Sequence, residues 1–256
     1  MTIDLNADVG ESFGAYSMGN DAALLALVSS ANIACGAHAG DPAVIQKTIT
    51  DAIEGGASLG AHPGYPDIQG FGRRSMAMSE SEVYGWVLYQ IGALKAFARA
   101  AGSSLRHVKP HGALYNDAAK NPALARGIAR AVRAAGGDLC LVGLPDCEME
   151  RAAKAAGIAY AREFFADRAY EDDGSLVPRS RERSVLHDED LCVSRVRRLV
   201  AEGTVETMSG KTIPVRADTI CLHGDNQKAV VFARLLARAL KDKGVEIRPF
   251  APAVLR

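Results

Sequence analysis

Histidines and acids recur at one kind of place in this chain. Five of the six histidines (His38, His62, His107, His111 and His223) lie in or just past four short apolar runs. Acids accompany them: Asp8 and Glu11 after the first run, Asp41 in ACGAHAGD, Asp67 in GAHPGYPD, and Asp225 with Asn226 after TICLHG. Four of these histidines precede a small residue or proline (His38-Ala39, His62-Pro63, His111-Gly112, His223-Gly224), where backbone or a ligand can approach closely. Imidazoles and carboxylates gathered at one mouth can move protons, hold a developing oxyanion or bind a divalent cation such as zinc. Asp8, His38, His62, His111 and His223 form the metal-capable set, without the support of an H-E-x-x-H or paired C-x-x-C spacing. His107, at the start of its run, reads as structural, and His187 as a surface residue.

Lys109 belongs with this group. In RHVKPHG, period two puts His107, Lys109 and His111 on one strand face, and an inward ammonium needs a carboxylate or substrate partner, with Asp8 or Asp4 the natural one. The opening stretch TIDLNADV alternates in the same way. Asp4, Asn6 and Asp8 share one face, and Ile3, Leu5 and Ala7 the other. Acids inside and apolar residues outside suit a barrel strand packed under helices. Asp8 is nearest the mouth; Asp4, deeper, reads as a structural anchor paired with a buried cation. Arg73 and Arg74, in the glycine-rich GFGRR, suit either a solvated pair or a mobile lid that binds an anion.

The elements that must position these groups alternate regularly. Strands are expected near 2–8, 31–36, 57–62, 105–110, 138–143, 158–164 and 218–223, with a weaker one near 244–248. Helical patterns fall near 20–30, 42–55, 79–101, 121–136, 146–156, 188–202 and 225–243. Asp41-Pro42, Ser79 with Glu82, and Asn121-Pro122 are helix starts, and glycines mark the stops. Such alternation predicts a parallel sheet closed or nearly closed into a β/α barrel, with catalytic groups at the C-terminal strand ends and an open doubly wound sheet as the competitor. Residues 63–78 and 166–187 are long loops, of a length that is functional or disordered, and 204–216 is expected to be a β-hairpin. Tyr84, Trp86, Tyr89 and Phe97 on the third helix read as core packing rather than a partner face.

Composition narrows the class. The 256 residues suit one barrel domain spanning 1–256, and a formal net charge of zero lacks the basic footprint of a nucleic-acid binder. No run is long enough to span a membrane, and the start lacks signal-peptide character. Five scattered cysteines do not form a disulfide framework, so a cytoplasmic protein is expected. Gly210-Lys211-Thr212 resembles the end of a phosphate loop, but it sits at a hairpin tip and lacks the upstream glycine.

Taken together, DLNADVGESFGAY, SANIACGAHAGDP, GAHPGYPDIQGFGRR, VLYQIGALKAFA, RHVKPHGALYN, FADRAY with DGSLVPR, and ADTICLHGD resemble the LamB/YcsF family over nearly the whole chain. One departure is Ala7, where the family commonly carries cysteine. The resemblance implies a distorted seven-stranded parallel β/α (TIM-like) barrel, similar to glycoside hydrolase and deacetylase barrels. It also implies ATP-dependent opening of 5-oxo-L-proline to L-glutamate, with ATP as co-substrate, together with 5-oxoprolinase subunits B and C. On that footing Asp8 or His38 is expected to act as general base, and Lys109, His111 or His223 to stabilise oxyanion or phosphate charge. Arg73 or Arg74 would hold a substrate anion, and Asn6, Glu11, His62 and Asp225 would complete the contacts. Two other classes compete: a stand-alone metal-dependent deacetylase or amidohydrolase, active without ATP, and a non-catalytic scaffold subunit that tolerates substitution of the histidines.

Overall fold

The computed structural model describes residues 1–223 and 229–250, with His223 described by its backbone alone. The chain runs β1 (Thr2–Val9), α1 (Asp21–Leu25), β2 (Ser30–Ala34), α2 (Pro42–Glu54), β3 (Ser58–His62), α3 (Glu80–Ala100) and β4 (Leu105–Val108). It continues through α4 (Gly112–Lys120), α5 (Pro122–Ala135), β5 (Cys140–Gly143), α6 (Glu148–Ala156), β6 (Ala159–Phe165) and α7 (Glu189–Glu202). It ends with β7 (Thr204–Glu206), β8 (Thr212–Pro214), β9 (Thr219–His223), α8 (Ala229–Asp242) and β10 (Glu246–Ile247).

The sheet closes. β1 to β6 pair in order and in parallel, β6 pairs with β9, and β9 pairs back to β1, which makes a seven-stranded β/α barrel and excludes the open sheet. β10 stays outside the ring because it meets β1 only at Thr2 and Ile3, where the ring partner β9 has not yet begun. The expected hairpin is the antiparallel pair β7–β8. No helix among the described residues is long and apolar enough to cross a membrane.

Local signals explain most boundaries. Asp41 caps α2 by accepting from the Ala43 and Val44 amides, with Pro42 at the first position. Ser79 and Glu82 form a capping box on α3. Gly157 and Gly203 end α6 and α7 in the left-handed region (φ 64 and 65). Sequence reasoning misses α4, whose N-cap His111 makes no side-chain capping bond because its ring is used elsewhere. The first helix is also shorter than expected, since Ser30 already belongs to β2. The expected fourth strand stops at Val108, although the Lys109 and His111 amides still bond to Ala61 and Pro63 carbonyls and keep the segment beside β3. On α3 the core face is Val83, Val87, Gln90, Ile91, Leu94 and Ala98. Tyr84 and Phe97 pack half-buried against that core as expected, whereas Tyr89, stacked on Trp86, is 65% exposed, which corrects its reading as core because the helical period turns it outward.

β1 divides its faces as its alternation predicts. Ile3, Leu5, Ala7 and Val9 join the apolar layer between barrel and helices. Asp4, Asn6 and Asp8 face the interior, where they meet groups from β2, β6 and β9. Asp4 has no cation as partner among the described residues, which corrects both its expected pairing with a cation and its place as a partner of Lys109. It accepts from the hydroxyls of Ser29 (2.6 Å), Ser30 (2.7 Å) and Thr219. Burial still dominates and raises its pKa to about 6. The folded state therefore holds this proton more tightly than the unfolded chain, and its contribution is present at low pH and lost as pH rises from about 4 to 6. Stability is expected to fall by about 3 kcal/mol across that window. Asp21, raised to about 6 mainly by burial, acts in the same direction. Asp4→Asn should flatten the slope in part, as read from urea denaturation at pH 4.5 and 7; an unchanged slope refutes this account.

Candidate active site

The strand ends bring the acids and histidines together. Asp8 lies opposite Asn32 on β2 and His223 on β9. Its Oδ1 accepts from Asn32 Nδ2 (2.8 Å) and Lys109 Nζ (2.9 Å), and its Oδ2 lies 3.4 Å from His62 Nε2. Asn32 is held in turn by His107, whose Nε2 donates to Asn32 Oδ1 at 2.7 Å. Burial and the nearby Lys109 charge push His107 down to about 3, so it is a neutral, structural donor as expected. Gly60 makes room for that ring, since a Cβ there would lie 2.0 Å from His107 Nε2.

Lys109 is 2% exposed and surrounded. Besides Asp8, its Nζ reaches Glu163 Oε1 (2.8 Å), Cys221 Sγ (3.0 Å) and Asn6 Oδ1 (3.2 Å). Burial alone would lower its pKa, but the Asp8, Cys221 and Glu163 groups outweigh it and hold the ammonium well above the ordinary lysine value. Asn6 also donates to Glu163 and Thr219, so it braces this floor rather than lining the cleft above.

Three imidazoles and Glu11 form the second group. His62 Nδ1 meets the Lys109 carbonyl at 2.7 Å, and His111 Nε2 meets the Phe71 carbonyl at 2.9 Å. A carbonyl only accepts, so each of these nitrogens carries a proton. In the neutral rings the other two nitrogens, His62 Nε2 and His111 Nδ1, then turn lone pairs toward each other at 3.0 Å. His38 stacks on His111 with ring centres 3.6 Å apart; both its nitrogens are buried without a hydrogen bond, although Nε2 lies 3.3 Å from Glu11 Oε1. Burial and the neighbouring imidazoles keep His38 and His111 well below the usual histidine pKa. One ligand atom from each of Glu11, His38, His62 and His111 falls within 4.8 Å of the others. Lone pairs converging on one point, with a ring otherwise unsatisfied, fit a divalent cation. Asp8, in the expected metal set, instead stands beside this group, tied to Lys109.

The glycine-rich loop covers the rings. Gly72, at φ +62, could not carry a Cβ, which would lie 2.7 Å from His38 Cβ and 2.8 Å from His111 Cδ2. The two arginines of this loop part company. Arg73 borders the cleft and lies over the Phe71 ring (4.8 Å). Arg74 turns out to Asp67 with its side chain 65% exposed, which removes it from the anion contacts. Asp225 lies outside the described residues, as does the His223 side chain. The cleft itself is bordered by Asp8, Glu11, His62, Lys109, His111, Arg73, Arg168 and Arg179. Sequence reasoning leaves Asn32, Glu163, Cys221, Arg168 and Arg179 without roles. The inward alternation of SANIA and AYAREFF was the available signal for Asn32 and Glu163.

A model of the LamB/YcsF family matches residues 3–254. The chain belongs to the LamB/YcsF family. A family relative from Geobacillus kaustophilus (strain HTA426), named as the A subunit of 5-oxoprolinase, is 52% identical over 247 residues, 96% of each chain. A solved lactam utilization protein from Thermus thermophilus has a TM-score of 0.92 at 49% identity, covering 98% of this chain and 100% of that one. A family 4 carbohydrate esterase from Streptomyces lividans shares the barrel fold, with a TM-score of 0.52 at 14% identity over 99% of this chain and 96% of that one.

Removing Lys109 would leave Asp8 and Glu163 buried against each other. Lys109→Met is expected to destabilise the fold by about 3–5 kcal/mol. Thermal or urea unfolding measures this, and a loss below about 1 kcal/mol would contradict a charge network of this kind.

Proposed function

We propose that this chain is the lactam-opening subunit of an ATP-dependent 5-oxoprolinase, a cytoplasmic enzyme that acts with partner subunits B and C to convert 5-oxo-L-proline to L-glutamate. The observation that carries the reading is the buried convergence of Asp8, Lys109, Glu11 and three histidines at the mouth of the barrel. The relatives are named as the A subunit of 5-oxoprolinase and as a lactam utilization protein, which supports the substrate class. Five free cysteines agree with a reducing compartment.

A lactam resists water because its nitrogen donates into the carbonyl. Phosphorylation of the carbonyl oxygen by ATP withdraws that density and leaves an electrophilic carbon. Among the described residues Gly210 and Lys211 lie in the β7–β8 turn rather than between a strand and a helix, which supports giving the phosphorylation to the partner subunits. In this reading Asp8 Oδ2 takes a proton from water as its oxygen bonds to the activated carbon. The ring C–N bond then breaks as the nitrogen takes that proton back from Asp8 and leaves as the amine, and the resulting acyl phosphate is cleaved by a second water to L-glutamate and phosphate. Asn32 and Lys109 hold Oδ1 and so aim Oδ2. With its ammonium enclosed by Asp8 and Glu163, Lys109 serves to position and charge-balance Asp8. Glu11, His38, His62 and His111 would hold a divalent ion, which supplies Lewis-acid polarisation of a bound oxygen when present.

Asp8→Asn keeps the shape and one acceptor but loses the base. Glutamate release with B, C and ATP present is expected to fall by about 10²–10⁴-fold. A near-normal rate ends the assignment of Asp8. If lactam opening proceeds at full rate without ATP, the stand-alone amidohydrolase, which the histidine geometry also favours, replaces this reading. For the ion, zinc-loaded and dialysed wild-type chain should retain about one equivalent by elemental analysis, and His62→Ala under a tenth of that. Equal metal content in both removes the ion from the reading and leaves the Asp8 chemistry standing.

A further inference from the structure

The long connection after β6 contains a buried cation that the chemistry above does not use. Arg168 is 3% exposed. Its Nε donates to the Ser184 carbonyl at 3.0 Å and its Nη2 to the Val177 carbonyl at 2.6 Å, so two turns of the same connection fix the guanidinium plane. The Arg195 guanidinium anchors its backbone, donating to the Arg168 carbonyl at 2.7 Å. Arg168 forms no ion pair among the described residues, and its third nitrogen, Nη1, makes no hydrogen bond among them. The residue borders the cleft together with Arg179 of the same connection and Arg73 of the glycine-rich loop. Burial and the positive charges of Arg179 and Arg73 lower its pKa to about 10, with Asp167 the opposing charge. A rigid, buried guanidinium with no ion-pair partner of its own is costly unless something negative joins it.

We propose that Arg168, flanked by Arg179 and Arg73, is the receptor for a substrate oxyanion in the cleft. This deepens the lactam-opening reading and rests on it for the choice of ligand. Two oxyanions enter that reaction: the carboxylate of 5-oxo-L-proline and the phosphoryl group of its activated form. Either would meet a fork held open in advance on the wall of the cleft that Asp8 also borders. The conformation of residues 166–187 thereby serves specificity, because the two carbonyls that orient Arg168 both belong to it.

The test is binding to the wild-type chain and to Arg168→Gln by calorimetry, separate from turnover. The probes are 5-oxo-L-proline, its uncharged carboxamide and inorganic phosphate. Weakening of 5-oxo-L-proline by tenfold or more, with the carboxamide unaffected, supports the site and assigns the carboxylate. A comparable loss for phosphate supports it and assigns the phosphoryl group. Exposed Arg179→Gln guards against a folding defect at Arg168 and should weaken the same probe about threefold or more. The proposal is overturned if neither anion binds the wild-type chain, or if both substitutions leave both affinities within twofold. Because Asp8→Asn is read by glutamate release and this site by binding, either can fail while the other stands.

Discussion

The structure depends on keeping several charges dry inside a barrel. Asp8, Glu163 and Lys109 are almost wholly buried, and none is tolerable there alone. Their mutual contacts, extended through Asn6, Asn32 and His107, span β1, β2, β6 and the end of β4. Strand order, register and side-chain identity must therefore agree across the ring. A one-residue slip of β1 would turn Asp8 into the apolar layer and expose the barrel interior to Ala7 and Val9.

The same network sets the geometry of the candidate site. Asp8 has one oxygen committed to Asn32 and Lys109, and the other directed at the histidines. Backbone carbonyls of Lys109 and Phe71 choose the tautomers of His62 and His111, and so aim their remaining lone pairs. Fold and site geometry thus share atoms: the Lys109 carbonyl orients a ring while its ammonium balances two carboxylates. The cleft brings acids, imidazoles and three guanidiniums together, with Arg73 over the Phe71 ring that packs edge-on against His38 and His111.

Loops complete what the strands begin. The glycine-rich segment lies against the imidazoles because Gly64 and Gly72 carry no Cβ; one at Gly64 would lie 2.6 Å from His38 Nδ1. Residues 166–187 fold back on themselves through bridges at Arg168–Val185 and Tyr170–Leu176, which makes a fixed wall from a stretch that reads as polar connection.

The barrel, its strand ends and the group of Asp8, Lys109, His38, His62 and His111 were legible in the sequence, because period-two alternation and helix caps are local signals that fix which face and which end a residue occupies. Sequence alone also carried the family motifs. Partner choice was decided only in three dimensions. Asp4 met hydroxyls rather than a cation, Lys109 took Glu163 as well as Asp8, and Glu11 rather than Asp8 joined the three histidines. Arg73 and Arg74, adjacent in the chain, went to the cleft and to Asp67. These outcomes turn on closure of the ring and on ångström-scale distances between strands far apart in sequence, which no local pattern encodes.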